Sequence, residues 1–508
     1  MSSTRRCPTC GAVTRDDDCP GCGTHLGGGA HDVPTYRLAV LGDLLRDLIR
    51  FDAAEHLVLA RHLLRWTVIG SVIGVLAGAS SSVFLFGLKL ATDTRLDTPG
   101  LLFALPLGGL AVGLAYHHLG GRSAAGNNLI LDEIHGLGAP IEGHPEDAEV
   151  TAGQAGPMER RAWVPRRLAP LVLLGTWVTH LFGGSAGREG TAIQMSGSLA
   201  DWFARIARLD GADRRIVLIA AISGGFGSVF GVPLAGAVFG LEVQSVGRIR
   251  YDAIVPALAA SVVGNVVFDL LDLAHDVTPT VELGAIDLSL SLLAKIVVAA
   301  LVFGLVSVVF SELTDGIRRA MAVLFAYSPL RPFVGGLAVV GLTFLVGTRD
   351  HLGLSLPLIE DALTGADLVW YAFALKLLFT AVTLGSGFQG GEVTPLFVIG
   401  ATLGAALAGP LDAPVELVAA VGFIAVFAAA TNTPLACTIM GIELFGAGAL
   451  PYLALGCVVA YVFSAHRGIY GAQRIGTPKN PLSARAEGEA LRDLHSRRRR
   501  RGGADGHT

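Results

Sequence analysis

The stretch "PLAGAVFGLE" (residues 233–242) returns as "PLACTIMGIE" (residues 434–443), with proline, leucine, alanine, glycine and glutamate at matching places. A second pair of stretches lies at nearly the same offset, because "GREGTAIQMSGSL" (187–199) matches "GGEVTPLFVIGATL" (390–403). Two independent matches at about the same offset are hard to obtain by chance. The sequence therefore predicts a domain that is built twice.

The composition indicates that this domain lies in a membrane. Of the 508 residues, 52% are hydrophobic and only 16% are charged, and the mean hydropathy is +0.58. Apolar blocks recur from Trp66 to Phe463, and several approach the roughly 20 residues with which a helix spans hydrocarbon. Others are short or broken by Gly and Pro, which is typical of helices that end partway through the bilayer. We predict an all-α polytopic membrane protein whose two repeats cover about 66–272 and 289–475.

The two ends of the chain differ from this membrane domain, which we place at residues 66–475. The first apolar span begins late, so we expect no signal peptide. We predict a cysteine-rich unit at 1–30, a cytoplasmic amphipathic helix and linker at 31–65, and a basic cytoplasmic tail at 476–508, whose arginine run we expect to be disordered. Arginines in the tail and in the insert at 138–167 favour the cytoplasm for these two segments, and we expect both termini to be cytoplasmic. Nucleic-acid binding is an alternative for the arginine run, but we expect no nucleic-acid partner.

Four of the six cysteines form two C-x-x-C pairs, and each pair is followed by a glycine that permits a tight turn. They are Cys7, Cys10, Cys19 and Cys22. Four thiolates at this spacing suit a tetrahedral Zn²⁺ ion, which predicts a structural zinc ribbon. The alternative is two disulfides in an exported arm. Cys437 and Cys457 lie in apolar segments, and we expect them to be buried packing residues.

The stretch "GGSAGREGTAI" (183–193) places an arginine and a glutamate among four glycines, between apolar segments. This pattern predicts a helix that begins inside the membrane, with free N–H groups and a positive dipole end facing a cavity. The second copy, "GGEVTP" (390–395), predicts another such terminus. Two positive helix ends make a site for a small anion, and Glu189 and Glu392 can compete with that anion or carry a proton. The alternative is that each glutamate only caps its helix.

These residues resemble the CLC family of chloride channels and transporters. "GREGT" (187–191) is similar to the family's G-(K/R)-E-G-P, "GGEVTP" stands at its G-x-F-x-P, and "GVPLAGAVFGLE" (231–242) is similar to N-A-P-L-A-G. The resemblance covers about residues 60–475. It implies an inverted-repeat fold with many tilted and broken helices, and a homodimer with a separate pore in each subunit. It also implies that Glu189 is the gating glutamate, which leaves the anion site when protonated, and that Tyr470 is the central tyrosine.

Departures from the family pattern indicate a subgroup. "AAGNNLILDEI" (124–134) stands where chloride-selective members have G-S-G-I-P, and Val243 stands where chloride antiporters have a second glutamate. The motifs together resemble the fluoride/proton antiporters of the family, which implies that Glu392 and Thr394 line the pathway. Fluoride is small and strongly hydrated, so its site needs several short hydrogen bonds. The Asn127 amide, the Thr394 hydroxyl and nearby backbone N–H groups can donate them.

The predicted anion-binding residues are Asn127, Gly187, Arg188, Gly190, Val393, Thr394 and Tyr470. For Asn127 and Asn128 a helix cap or a turn is the alternative role, and for Thr394 it is a hydrogen bond to its own helix. Arg188 is interpreted as an interfacial residue or the partner of a carboxylate.

Two other classes of function explain less of the sequence. An intramembrane enzyme needs a nucleophile with a base, and His180 and His466 each stand alone in apolar sequence. A membrane-anchored zinc-ribbon adaptor leaves the repeat unexplained. We therefore predict no enzyme and no cofactor in the membrane domain, but a multi-pass transporter of the cell membrane that exchanges a halide, fluoride in our interpretation, for H⁺. A chloride channel or chloride/proton antiporter of the same family is the alternative. The expected partners are the halide, H⁺ and membrane lipid.

Overall fold

The computed structural model describes residues 5–7, 9–14, 18–24, 53–136, 163–273, 280–481 and 486–504. Most of the predicted linker at 31–65 and most of the insert at 138–167 lie outside the described residues. Contacts divide the chain into a unit of residues Met1–Leu63 and a unit of residues Leu64–Thr508, and each is described by itself.

The fold is helical, as the sequence predicts. The helices, numbered in chain order, are α1 (Ala53–Asp97), α2 (Leu105–Leu119), α3 (Asn127–His135), α4 (Leu168–Leu181), α5 (Glu189–Ile206), α6 (Gly211–Phe230), α7 (Pro233–Glu242), α8 (Ile254–Leu271), α9 (Leu290–Leu324), α10 (Leu330–Val346), α11 (Leu356–Thr364), α12 (Ala372–Gly385), α13 (Val393–Leu411), α14 (Val415–Thr431), α15 (Pro434–Phe445), α16 (Leu450–Phe463) and α17 (Leu491–Ala504). The strands are β1 (Arg5–Arg6), β2 (Val13–Thr14), β3 (Ser245–Val246) and β4 (Arg474–Ile475); β1 pairs antiparallel with β2, and β3 pairs parallel with β4.

Among the described helices, five stretches are long and apolar enough to cross a membrane: Glu55–Asp97, Pro99–Leu119, Tyr251–Leu271, Leu290–Leu324 and Val393–Leu411. Shorter apolar helices such as α7 and α15 contain only 10 and 12 residues. At about 1.5 Å of rise per residue, neither reaches across a hydrocarbon core of roughly 30 Å. Helix α1 begins before the predicted boundary at residue 65, because residues 53–69 contain no Gly or Pro that would interrupt the helix.

The repeated "PLA…E" stretches form α7 and α15, and each caps the other. The Glu443 carboxylate accepts the N–H groups of Leu234 (2.9 Å) and Ala235 (2.8 Å) at the start of α7. The Glu242 carboxylate does the same at the start of α15, where the donors are Leu435 (3.1 Å) and Ala436 (2.8 Å). Each glutamate satisfies N–H groups that a helix leaves free at its N-terminus, and its charge suits the positive dipole end.

The core joins the two repeats through aromatic side chains of α6, α7, α13 and α14. Phe226 stacks on Phe239 with ring centroids 4.2 Å apart, and Phe397 stacks on Phe423 at 4.1 Å. Phe427 lies 5.9 Å from Phe226 and 5.0 Å from Phe397, so it links the two stacks. These rings bury a large apolar area against each other.

The end of the chain differs from the predicted disordered tail. Helix α17 starts at Leu491, and the side chains of Leu491 and Leu494 are buried in a cluster with Val246 and Ile475. The Leu491 N–H also donates to the Gln473 carbonyl at 2.9 Å. The residues up to Arg497 are therefore folded onto the membrane domain. The arginine run continues helix α17, so the prediction of disorder for that run was wrong.

Candidate functional site

The two glycine-rich loops of the repeats meet at the centre of the membrane unit. The N–H of Gly187 donates to the Gly391 carbonyl at 2.6 Å, and the N–H of Gly391 donates to the Gly187 carbonyl at 2.8 Å, in an antiparallel bridge. A Cβ on Gly391 would lie 2.8 Å from the Gly190 nitrogen, so no larger residue fits without a shift. This close approach brings the N-termini of α5 and α13 together.

The Glu189 carboxylate lies at the N-terminus of α13 and is fully buried. Its oxygens accept the Thr394 backbone N–H (3.1 Å) and lie 2.6 and 2.7 Å from the Thr394 hydroxyl. The Arg188 N–H (3.2 Å) and the Arg188 Nε (3.4 Å) also donate to it. The carboxylate thus occupies a place where the helix terminus and the hydroxyl offer donors to a negative charge. The Thr394 hydroxyl therefore bonds to Glu189 of the first repeat, and not to a backbone carbonyl of its own helix.

A polar cavity of about 440 Å³ reaches the start of α13, where Glu392 lines it. We call it the amide-lined cavity, and its polar lining includes Asn127, Asn128, Gln194, Gln389, Glu392 and Tyr470. Three of its buried polar atoms, Asn127 Oδ1, Gln194 Oε1 and the Tyr470 hydroxyl, have no hydrogen-bond partner within the described residues. Buried polar groups normally find a partner, so these atoms are suited to a solute inside the cavity.

Asn127 and Asn128 of "GNN" have different surroundings. The Asn128 Oδ1 accepts the Ala472 N–H at 2.9 Å, which ties it to the segment after α16. Asn127 is close to the paired loops, because a Cβ on Gly190 would lie 2.9 Å from Asn127 Nδ2 and 3.8 Å from a Glu392 oxygen. Helix α3 is preceded by Gly126 with a φ of +56°, a conformation that favours glycine, and no side chain caps it. Asn127 is therefore free of the capping role and faces the cavity.

A second cavity, of about 340 Å³, begins at Arg188. We call it the arginine-lined cavity, and its charged lining residues are Lys89, Arg95, Arg188, Arg349 and Asp350. The surplus of positive charge raises the local concentration of anions. The Glu189 carboxylate thus lies between its neighbour Arg188, which lines one cavity, and the start of α13, where Glu392 lines the other.

The remaining predicted residues lie at the same junction. Val393 is buried in the first turn of α13, and Gly187 forms the bridge between the loops. His180 contacts the backbone carbonyls of Thr176 (2.9 Å) and Ala186 (3.1 Å), so it supports the turn before the first loop. His466 Nε2 accepts the N–H of Lys479 at 3.0 Å, which is also a structural contact.

Comparison with known proteins identifies the family. A family model described as voltage gated chloride channel, the CLC family, matches residues 134–465. The chain belongs to the CLC family. The all-α inverted-repeat fold that the resemblance implied is thereby confirmed. So is the prediction that the chain is not an enzyme, because CLC proteins are channels or transporters of ions.

Several CLC relatives are similar over most of their length. A chloride/fluoride channel protein of Pseudomonas syringae pv. tomato is 42% identical over 455 residues, which are 88% of this chain and 95% of that protein. A H(+)/Cl(-) exchange transporter of Vibrio vulnificus is 26% identical, over 74% of this chain and 81% of that protein. Among solved structures, a CLC-type fluoride/proton antiporter is 34% identical with a TM-score of 0.73, and the match covers 81% of this chain and 98% of that one. This chain is accordingly a multi-pass membrane protein that moves anions.

Two residues that support this CLC site were not predicted. Gln194 follows Gly190 by one helical turn on α5, and a Cβ on Gly126 would lie 3.4 Å from its Nε2. A lone amide on a helix face of small residues is the signal that marks it. Lys376 is buried on α12 and donates to the Gly353 carbonyl (2.8 Å) and the Ser355 hydroxyl (2.9 Å). Lys376 thereby holds the loop at Gly353 and Ser355, which lines the arginine-lined cavity. The residues around Lys376 in the sequence form no pattern that predicts this role.

The N-terminal unit contains a candidate metal centre. The sulfur atoms of the four cysteines all lie within 4.8 Å of one another, and Cys7 to Cys22 and Cys10 to Cys19 are 3.5 and 3.4 Å apart. Tetrahedral zinc with Zn–S bonds of about 2.3 Å separates its sulfurs by about 3.8 Å. The two knuckles have the same geometry, since Gly11 and Gly23 both adopt positive φ and donate to the carbonyls of Cys7 and Cys19. The cluster therefore fits one metal ion.

Two of these thiols, Cys7 and Cys22, have a lowered pKa, whereas the pKa of Cys10 is raised to about 12 beside the other cysteines. Backbone N–H groups of Cys10 and Thr9 lower the pKa of the Cys7 thiol to about 6. The Thr24 hydroxyl and its backbone lower the pKa of Cys22. A thiolate is the form that binds a metal, so these hydrogen bonds favour the ligand state of Cys7 and Cys22.

Proposed function

We propose that this CLC protein is a fluoride/proton antiporter of the cell membrane. The observation that carries the proposal is the position of the Glu189 carboxylate on the N–H and hydroxyl of Thr394. This carboxylate can take up a proton, and it occupies the hydrogen-bond donors of Thr394 that would otherwise bind a halide.

The exchange follows from competition for these donors. When ionised, the Glu189 carboxylate neutralises the start of α13 and excludes an anion of the same charge. When protonated, it loses the charge that holds it there, and the Thr394 N–H and hydroxyl become available to a halide. Anion and proton therefore use the site in alternation, and the Asn127 amide and Tyr470 hydroxyl add donors from the amide-lined cavity. Glu392, which lines that cavity, is proposed to pass the proton or to exclude other anions.

The choice of fluoride rests on the donors and on the relatives. Fluoride replaces its water only where several short hydrogen bonds converge, and the Thr394 hydroxyl, the Asn127 amide and the loop N–H groups are such donors. Relatives whose names include fluoride are 42% and 34% identical to this chain. The alternative is a chloride channel or chloride/proton antiporter, which the 26% identity to a H(+)/Cl(-) exchange transporter keeps open.

We further propose a homodimer with both termini in the cytoplasm and one Zn²⁺ on the four cysteines. Apolar side chains of the capped helices, such as Leu234 and Leu435, are exposed in the single chain. Contact with lipid or with a second copy would cover them.

The test is anion efflux from liposomes that contain the purified protein, with either fluoride or chloride inside and with external pH recorded. We expect efflux of fluoride accompanied by proton uptake, and much slower efflux of chloride. Equal efflux rates for the two anions would indicate a chloride transporter. Fluoride efflux without proton movement would indicate a channel.

A further inference from the structure

The C-terminal segment (residues 470–481 and 486–497) binds one face of α3. Asn128 and Asp132 are four residues apart and therefore share a helix face. Asn128 accepts the Ala472 N–H, and the two oxygens of Asp132 accept Nη1 and Nη2 of Arg492, both at 2.9 Å. This two-pronged ion pair joins the last described helix to the helix that carries Asn127.

Arg492 is itself held in place. Its N–H donates to the Gly471 carbonyl at 3.0 Å, and a Cβ on Gly471 would lie 3.3 Å from the Cβ of Arg492. The side chains on either side of it in the helix, Leu491 and Leu494, are buried. The residue that pairs with Asp132 is thus fixed to the position next to Tyr470.

The same arginine lines the amide-lined cavity, together with Asn127 and Tyr470. Helix α3 therefore has its first side chain in the cavity and its Asn128–Asp132 face on the C-terminal segment. The other face of this nine-residue helix is held by buried apolar side chains and by Glu133, whose carboxylate pairs with Arg214 at 3.0 Å. Loss of the Asp132 pair therefore releases the Asn128–Asp132 face alone, and Asn127 in the same first turn shifts with it.

We infer that Arg492 is a positioning residue for anion selection, which acts through Asp132 on α3 and so fixes the Asn127 amide toward the anion. The inference rests on the proposed fluoride transport. It differs from a role in which Arg492 only attracts anions by its charge. In that second case Asp132→Asn, which removes a neighbouring negative charge, would improve transport.

The experiment compares Arg492→Gln, Asp132→Asn and Asn127→Ala with wild type in liposomes, and measures fluoride and chloride rates and the apparent KM for fluoride. Arg492→Gln and Asp132→Asn should each lower the fluoride-to-chloride ratio about three- to tenfold through KM, with the maximal rate within about twofold. The double variant Asn127→Ala/Arg492→Gln should be no worse than Asn127→Ala alone. Arg492→Lys, which cannot make the two-pronged pair, should be intermediate.

The matched control is Arg497→Gln, on the same helix, whose partner Glu489 lies in the same segment at 2.7 Å and outside the cavity lining. It should leave the ratio unchanged. The inference is overturned if Asp132→Asn lowers the KM for fluoride, if Arg492→Gln slows both anions equally, or if the control loses selectivity as well. If Arg492→Gln does not fold, Asp132→Asn alone decides between the positioning role and the charge role, because the two roles predict opposite changes in the KM for fluoride. A wild type that carries both anions equally would instead overturn the proposed function, and this inference with it.

Discussion

Glu189 is the residue on which coupling depends, because its carboxylate is the ionisable group among the donors of the site. Glu189→Gln keeps the shape of the side chain but cannot release a proton. We expect a folded protein that no longer takes up protons when fluoride leaves the liposome. The measurement is internal pH under a fluoride gradient, with gel filtration as the control for folding. Proton uptake at the wild-type rate would show that another group carries the proton.

Substitutions at Thr394 can test the hydrogen bond of its hydroxyl separately from the shape of its side chain. Thr394→Val removes the hydroxyl and keeps the volume, whereas Thr394→Ser keeps the hydroxyl and serves as the control. Loss of one donor to a buried charge costs about 1.5 to 3 kcal/mol, or roughly ten- to a hundredfold in affinity. We expect Thr394→Val to reduce fluoride transport more than chloride transport, measured as efflux of each anion. An unchanged ratio in Thr394→Val would contradict the assigned role.

The sequence predicts which residue types are near helix termini, but not which residues touch. Glu189 and Thr394 both follow glycines in matching copies of the repeat, so both are candidates from sequence alone. Their contact depends on the bridge between Gly187 and Gly391, which joins loops about 200 residues apart. No local pattern encodes such a distant pairing.

At the scale of elements, the packing of α13 on α14 depends on facing glycines. A Cβ on Gly400 would lie 2.1 Å from the Gly422 carbonyl oxygen, whereas a Cβ on Gly409 of the same helix meets nothing within 4 Å. We expect Gly400→Ala to destabilise the protein by about 1–3 kcal/mol. Gly409→Ala should be neutral or slightly stabilising. Thermal unfolding in detergent compares the two variants, and equal unfolding temperatures would contradict this account of the packing.

Element boundaries were predicted less well than element types. The apolar spans could be predicted because each is a continuous apolar block that is recognisable from its own sequence. Helix α17 could not, since only Leu491 and Leu494 interrupt a polar, arginine-rich run, and its position depends on the distant partner Asp132. A polar run of this kind is compatible with a disordered tail until its tertiary contacts are known.

At the scale of the whole molecule, the ribbon and the membrane repeat are proposed to be independent in function. Purified protein should contain one Zn²⁺ per subunit, and Cys7→Ser/Cys10→Ser should lose it, because two thiolates cannot complete a tetrahedral site. Metal analysis measures this, and a wild type without zinc would refute the ribbon. Anion transport should survive removal of residues 1–30, since the described site contains none of them.

The crossed caps of Glu242 and Glu443 have a consequence for biosynthesis. While the ribosome is still making the second repeat, the start of α7 lacks its carboxylate, and bare N–H groups in lipid are costly. We therefore expect the first half to remain unfinished in the bilayer until the second is made, and to be a target of quality-control proteases. Residues 1–279 expressed alone should be degraded, and co-expression of residues 280–508 should rescue them, as immunoblots of the membrane fraction would show. That result would show that insertion into the membrane and completion of the fold are separate steps in the biosynthesis of this chain.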